Sequence, residues 1–252
     1  MQNPIFWIAA NEVGYGFPDA DAALSDPDGL LAAGGDLSCA TLLEAYSRGI
    51  FPWFSADQPI LWWSPDPRAV FSPPALKVSR SLRRTLQRQR FQVSCDTDFA
   101  GVIRECAGTR PGQSGTWLTR EMIAAYTALH EQGHAHSVEC RHRGRLVGGL
   151  YGVAIGRVFF GESMFSRMND ASKVALAHLM HNLRHWQFEL VDCQVYSEHL
   201  RTLGATRMPR TGFIRELRRL CAEPPAPGAW CSWRAPDDVE GPALNACPSA
   251  TS

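Results

Sequence analysis

Along the first 70 residues, apolar positions recur at helical spacing in one place. Leu42, Leu43, Ala45 and Tyr46 fall between Ser38, a capping residue type, and Gly49, a terminator, so the pattern predicts a helix from Ser38 to Gly49. Around it Pro, Gly and Trp dominate. GIFPWF and PILWWSPDPR set aromatics between prolines, which predicts rigid irregular loops in a small lobe that presents aromatic surface. From Ser79, SRSLRRTLQRQR predicts a second helix. At ~100° per residue, Arg80, Arg83, Arg84 and Arg88 share one arc, and Leu82 and Leu86 lie opposite. A third helix is predicted from about Thr119 through EMIAAYTALHEQ, buried on Met122, Ala125, Tyr126 and Leu129 and ended by a left-handed cap at Gly133.

Beyond His134 the period shortens. AHSVECRHRGRLVGGLYGVAIGRVFFGES alternates Val, Ile and Phe runs with glycines and reads as successive antiparallel strands. A helix follows Asp170, with Leu176, Leu179, Met180 and Leu183 as its stripe. FELVDCQVY then has strand composition, and SEHLRTLGA reads as a short helix ending near Gly204. The sum is an α+β (mixed α/β) chain in three parts. Residues 1–70 form a small N-terminal lobe. Residues 71–222 form the larger domain, with a twisted, mostly antiparallel sheet flanked by helices and closed by a βαβ unit. Residues 223–252 form a Pro/Ala-rich tail expected to be extended or mobile.

Composition narrows the function classes. With 252 residues and 45% hydrophobic content, the chain can bury one large core or two modest ones. Its 25 Lys+Arg balance 25 Asp+Glu, so no global field draws in a polyanion or an anionic membrane, and nucleic-acid contact must come from local clusters such as the arginine arc. Eight scattered cysteines without a Cys-x-x-Cys pair fit reduced thiols, and neither a secretory leader nor a run of ~18 apolar residues is evident. The expectation is a cytoplasmic protein with no membrane partner.

Several polar groups compete for the chemistry. HEQGH, His130 to His134, has the His-Glu-x-x-His spacing of a zinc site, but Gly133 ends the helix first, so the two imidazoles need not share a face and no metal is expected. His178, His181 and His185 are expected to be exposed polar positions. Glu162 sits among Phe159, Phe160, Met164 and Phe165. A carboxylate there needs a partner, so it is either half of a buried pair with Arg167 or the anion of an apolar pocket that recognises an amine. Asp192 and Gln194, two apart on the predicted strand, share a side, while alternation sends Cys193 to the other and argues against a thiol nucleophile.

PDGLLAAGGDLS, AYSRGIFPWF, ILWWSPDPR, SRSLRR, GTWLT, HAHSVE, LVGGLYGV, FFGESMFSR, ASKVAL and DCQVYSEHLRTLGA, in order from Pro27 to Leu217, resemble the leucyl/phenylalanyl-tRNA-protein transferase family. The resemblance implies transfer of Leu or Phe, with Met as a further donor, from charged tRNA to the N-terminal Arg or Lys of acceptor proteins, creating an N-degron. It also implies a catalytic domain similar to the GNAT acyltransferases, no cofactor, and a monomer. Carried over by position, Tyr46, Trp53 and Trp117 border the aminoacyl-adenosine site. Glu162 holds substrate, of the donor or the acceptor, and Phe159 and Met164 help line the side-chain pocket. Asp192 and Gln194 assist the amine, with Asp192 either taking its proton or orienting Gln194. A CoA-dependent acyltransferase is disfavoured because SRMNDASK lacks the glycine of a pyrophosphate nest.

Overall fold

The computed structural model describes residues 5–9, 16–108 and 118–234. Its regular elements in chain order are β1 (Phe6–Ile8), β2 (Leu30–Gly34), α1 (Cys39–Ser47), β3 (Phe51–Pro52), β4 (Leu61–Trp63), β5 (Arg68–Phe71), α2 (Arg80–Gln87), β6 (Gln92–Cys95) and α3 (Phe99–Cys106). They continue with α4 (Arg120–Glu131), β7 (Ala135–His142), β8 (Arg145–Ile155), β9 (Val158–Ser166), α5 (Ala171–His185), β10 (Leu190–Asp192), α6 (Glu198–Leu203), β11 (Thr206–Met208) and α7 (Arg210–Leu220).

The predicted caps are in place. The Ser38 hydroxyl accepts from the Thr41 amide at α1, that of Ser79 from Leu82 at α2, and that of Thr119 from Met122 at α4, each satisfying an amide without a helical partner. Gly133 follows α4 with φ +77°, as its left-handed cap requires. The aromatic, proline-rich segments depart from expectation. Leu61–Trp63 and Phe51–Pro52 pair as strands, because β4 lies between β2 and β3 and its backbone groups are satisfied in the ladder. The resulting small sheet has the order β1-β2-β4-β3.

The main sheet has the order β11-β5-β10-β9-β8-β7-β6, and among its pairings β10–β9 is the parallel one. That pair is joined through α5, which gives the predicted βαβ closure. Alternation along the central strands divides two cores. Phe160 and Leu190 face α1, α3, α4, α7 and the small sheet, whereas Phe159 and Val191 face α2, α5 and α6.

Two expectations fail on the α5 side. His178 and His181 are half-buried, and burial lowers the His178 pKa to about 4. The cause lies in the tail, whose described part, residues 223–234, packs instead of hanging free. Trp230 stacks on His136 with ring centroids 3.7 Å apart, Trp233 lies over His178, and Asn182 bonds both backbone groups of Arg234. The tail beyond residue 234 lies outside the described residues.

Candidate active site

The site opens where β9 and β10 part. Their ladder runs to Phe160 opposite Asp192. One residue later β9 bulges, since Gly161 faces Gly152 and Ser163 faces Tyr151, which leaves Glu162 as the extra residue. Gly152 is needed there, for a β-carbon on it would lie 2.5 Å from the Phe159 ring. β10 ends at Asp192 and Gln194 turns back at φ +54°. Between the diverging strands lies a cavity of about 310 Å³, walled by Phe71, Phe159, Met164, Leu176, Leu179 and Leu200, with Glu162, Gln194, Ser163, Ser197 and His199 among its polar groups.

Glu162 is held by three donors. The Tyr46 hydroxyl reaches Oε1 at 2.7 Å, the Tyr126 hydroxyl reaches Oε2 at 2.8 Å, and Gln194 Nε2 donates to Oε1 at 3.2 Å. The two tyrosine oxygens also lie 2.5 Å apart. With Glu162 ionised, both hydroxyls donate to it; with Glu162 protonated, its carboxyl donates to one tyrosine oxygen, that hydroxyl donates to the other tyrosine, and all three contacts are hydrogen bonds. The electrostatics agree. Burial, reinforced by the charge on Asp192, raises the Glu162 pKa to about 7 against the two tyrosine hydrogen bonds and Arg68, which lower it. Burial and the Glu162 charge likewise hold Tyr46 and Tyr126 well above the usual phenol range, so neither ionises near neutrality.

Beneath this ring Asp192 is fully buried. Arg68 Nε and Nη2 donate to its two oxygens at 2.9 and 2.8 Å. Arg68 also donates to the Gly49 carbonyl at 3.0 Å, and its guanidinium lies 4.8 Å from the Phe51 ring centroid and 4.7 Å from that of Phe213. Asp192 Oδ1 in turn accepts the Gln194 amide at 2.9 Å, fixing the turn that aims the Gln194 side chain at Glu162.

Phe159, Glu162, Met164 and Gln194 thus meet at one cavity, with Tyr46 joined through Glu162 and Asp192 through Gln194. Asp192 and Gln194 are not strand neighbours on one side as expected. The strand ends at Asp192, and a turn brings Gln194 round. Cys193 is not turned away from Gln194 as alternation predicts, for both line the cavity, but burial raises its thiol pKa and disfavours the thiolate. Glu162 is not paired with Arg167, which bonds Glu105 Oε2 at 2.8 Å. Trp53 is 47% exposed, packs on Trp63 and is not among the lining residues. Arg80, Arg83, Arg84 and Arg88 are exposed on or at the end of α2. Trp117 lies outside the described residues.

His130 stacks on Phe99 and bonds the Ala135 carbonyl oxygen, while His134 follows the end of α4. Among the described residues no group of three or more His, Cys, Asp or Glu is arranged to hold a metal.

Residues 70–218 match the family model of the leucyl/phenylalanyl-tRNA protein transferase, and residues 35–66 match that family's N-terminal domain. The chain belongs to this transferase family. A leucyl/phenylalanyl-tRNA-protein transferase of Aromatoleum aromaticum is 57% identical over 91% of this chain and 95% of its own. One of Nitrosospira multiformis is 52% identical over 89% and 96%. Among solved structures, a GCN5-related N-acetyltransferase from Kribbella flavida aligns with TM-score 0.37 and 13% identity over 68% of this chain and 60% of its own. L-PGS from Bacillus licheniformis aligns with TM-score 0.37 and 9% identity over 66% and 53%.

Two parts of this candidate site are not legible in the sequence. Tyr126 sits on the apolar stripe of α4, where nothing in the period marks a buried hydroxyl with a partner 36 residues away. Arg68 lies in PDPRAVF, and the one signal there is a charge entering a run that becomes the fully buried strand β5.

Proposed function

We propose that this chain transfers Leu or Phe from charged tRNA to the N-terminal Arg or Lys of acceptor proteins, with the donor side chain in the cavity between β9 and β10. The observation that carries this reading is Glu162 and Gln194 hydrogen-bonded to each other in a cavity walled mostly by apolar side chains. The ester of charged tRNA is already activated, so orientation and the handling of one proton suffice. The acceptor amine attacks the ester carbonyl carbon. The C–N bond forms, the C–O bond to the terminal ribose breaks, and the proton lost by the amine reaches the ribose oxygen by way of the Glu162 carboxylate. A chain-terminal amine with a pKa of about 8 offers far more neutral nitrogen near pH 7 than a lysine side chain at about 10.4, which favours N-termini.

In this reading Asp192 is a positioning residue. Its charge is committed to Arg68 and its oxygen to the Gln194 amide, so it sets the aim of Gln194. Tyr46 and Tyr126 hold Glu162 and tune its proton affinity. Trp53 stacks near the terminal adenosine, and Arg80, Arg83, Arg84 and Arg88 meet tRNA phosphates. Met is a weaker donor, because one methylene group of shape difference is worth only ~1 to 3 kcal/mol. The product is an N-degron, and the enzyme acts as a cytoplasmic monomer. Among the described residues no helix is long and apolar enough to cross a membrane.

Incubation with radiolabelled Leu-tRNA and an Arg-initiated peptide tests the reading. Labelled peptide is expected. Product from acetyl-CoA alone, or charged-tRNA binding without transfer, would overturn it.

A further inference from the structure

The β7–β8 hairpin turns through Arg141-His142-Arg143-Gly144-Arg145. His142 pairs with Arg145, so Arg143 and Gly144 form a two-residue loop, with φ of +51° and +76°. Loops of this kind favour Asn-Gly, since an ordinary β-carbon is disfavoured in the left-handed region. An arginine at the first position therefore costs backbone energy that an asparagine would save, and its side chain is exposed, as is that of Arg145.

The hairpin tip is fixed beside the end of α2. Gln92 pairs with Arg141, His142 Nδ1 lies 3.0 Å from the Arg90 carbonyl oxygen, and the Phe91 ring meets the His142 ring edge-on. Arg90 itself lies over Phe91 and bonds the Asn169 carbonyl. The neighbouring acids are already engaged, Asp98 by Arg141 at 2.7 Å and Asp170 by Thr85 at 3.0 Å and Lys173 at 3.5 Å. In a chain of zero formal net charge, Arg88 and Arg90 after α2 and Arg143 and Arg145 at the hairpin tip are all exposed, and the two segments are joined by the contacts of His142 with the Arg90 carbonyl and Phe91.

We propose that Arg143 and Arg145, at the tip of the β7–β8 hairpin, form a second contact for the phosphate backbone of the donor tRNA, continuing the α2 arc. This rests on the reading of the chain as a tRNA-dependent transferase. Phosphate contact by flexible cations is a sequence-independent term that positions the RNA and weakens with salt.

The test titrates charged tRNA against the full chain and its Arg143→Asn and Arg143→Asn/Arg145→Gln variants between about 50 and about 200 mM salt. The double variant is expected to raise Kd by about three- to tenfold at low salt and to lower the slope of log affinity against log salt by about one to two. Arg143→Asn alone is expected to weaken binding while its thermal midpoint stays level or rises, because Asn-Gly suits the turn. Unchanged affinity and slope would overturn the proposal, as would weaker binding with an unchanged slope. A wild-type chain that fails to transfer from charged tRNA would instead remove the functional reading beneath it.

Discussion

Arg68 and Asp192, 124 positions apart, form a two-bond ion pair in which both side chains are 0% exposed. Such a pair is costly to bury and more costly to break, because either partner left alone is an uncompensated charge in the interior. Its place explains its use. It ties β5 to the last residue of β10, the point from which Gln194 must turn to reach Glu162.

Removing either partner should therefore act first on stability. Arg68→Met or Asp192→Leu is expected to cost about 3–5 kcal/mol each, and the double variant less than their sum. Arg68→Lys should not restore the wild-type level, since an ammonium cannot make the paired bonds. Denaturant unfolding of the wild type and the four variants checks this. Strictly additive losses would show that the two groups act independently.

The ionisation of Glu162 sets two pH dependences. Its folded value, about 7, lies above its ordinary 4.5, so the unfolded chain releases the proton first. Its contribution to stability is full below about 4.5 and is lost as pH rises through about 7. Transfer runs the other way, since it needs the carboxylate, and should rise through about 7 in addition to the limb of the acceptor amine near about 8. Glu162→Gln should lose the lower limb. Tyr126→Phe removes a hydrogen bond that lowers the Glu162 pKa, so its limb should move to higher pH. A profile of kcat/KM against pH that is the same in all three proteins would contradict this.

The cavity wall should set donor preference. Leu176→Phe fills space that an aromatic donor needs and is expected to favour Leu-tRNA over Phe-tRNA by about tenfold or more in kcat/KM. Leu179→Ala opens the wall, should relax the preference, and should cost about 2–5 kcal/mol of stability because the side chain is buried. Parallel assays with the two charged tRNAs measure both effects.

Trp230 should matter although it lies beyond the family match. Its ring packs on His136, Trp186, Phe159 and Phe188, and Phe159 lines the cavity. Trp230→Ala is expected to cost about 3 kcal/mol and to raise KM for the donor more than it lowers kcat. Unchanged unfolding and kinetics would show that this strap packs without consequence.

What could be read in advance follows from the range of each interaction. Helices α1, α2 and α4 were legible because capping residues and apolar stripes act over a few positions, and the β9–α5–β10 crossover followed from its alternating periods. The short strands β3 and β4 are hidden by prolines, and β4 gains its other ladder from β2, distant in sequence. At the site, Glu162 stood out as a charge among aromatics. Its partners did not, because Tyr126 resembles any core aromatic and Arg68 any surface arginine until the fold brings them to Glu162 and Asp192. His185 is exposed as its position predicts, whereas the cover over His178 comes from a Pro-rich stretch without period.

A co-crystal with a puromycin-like analogue, whose aminoacyl group is joined to adenosine by an unreactive amide, tests the central claim most directly. The predicted result is the donor side chain between Phe159, Met164 and Leu179, with its carbonyl carbon next to Glu162 and Gln194. An analogue bound elsewhere while this cavity stays empty would contradict the account.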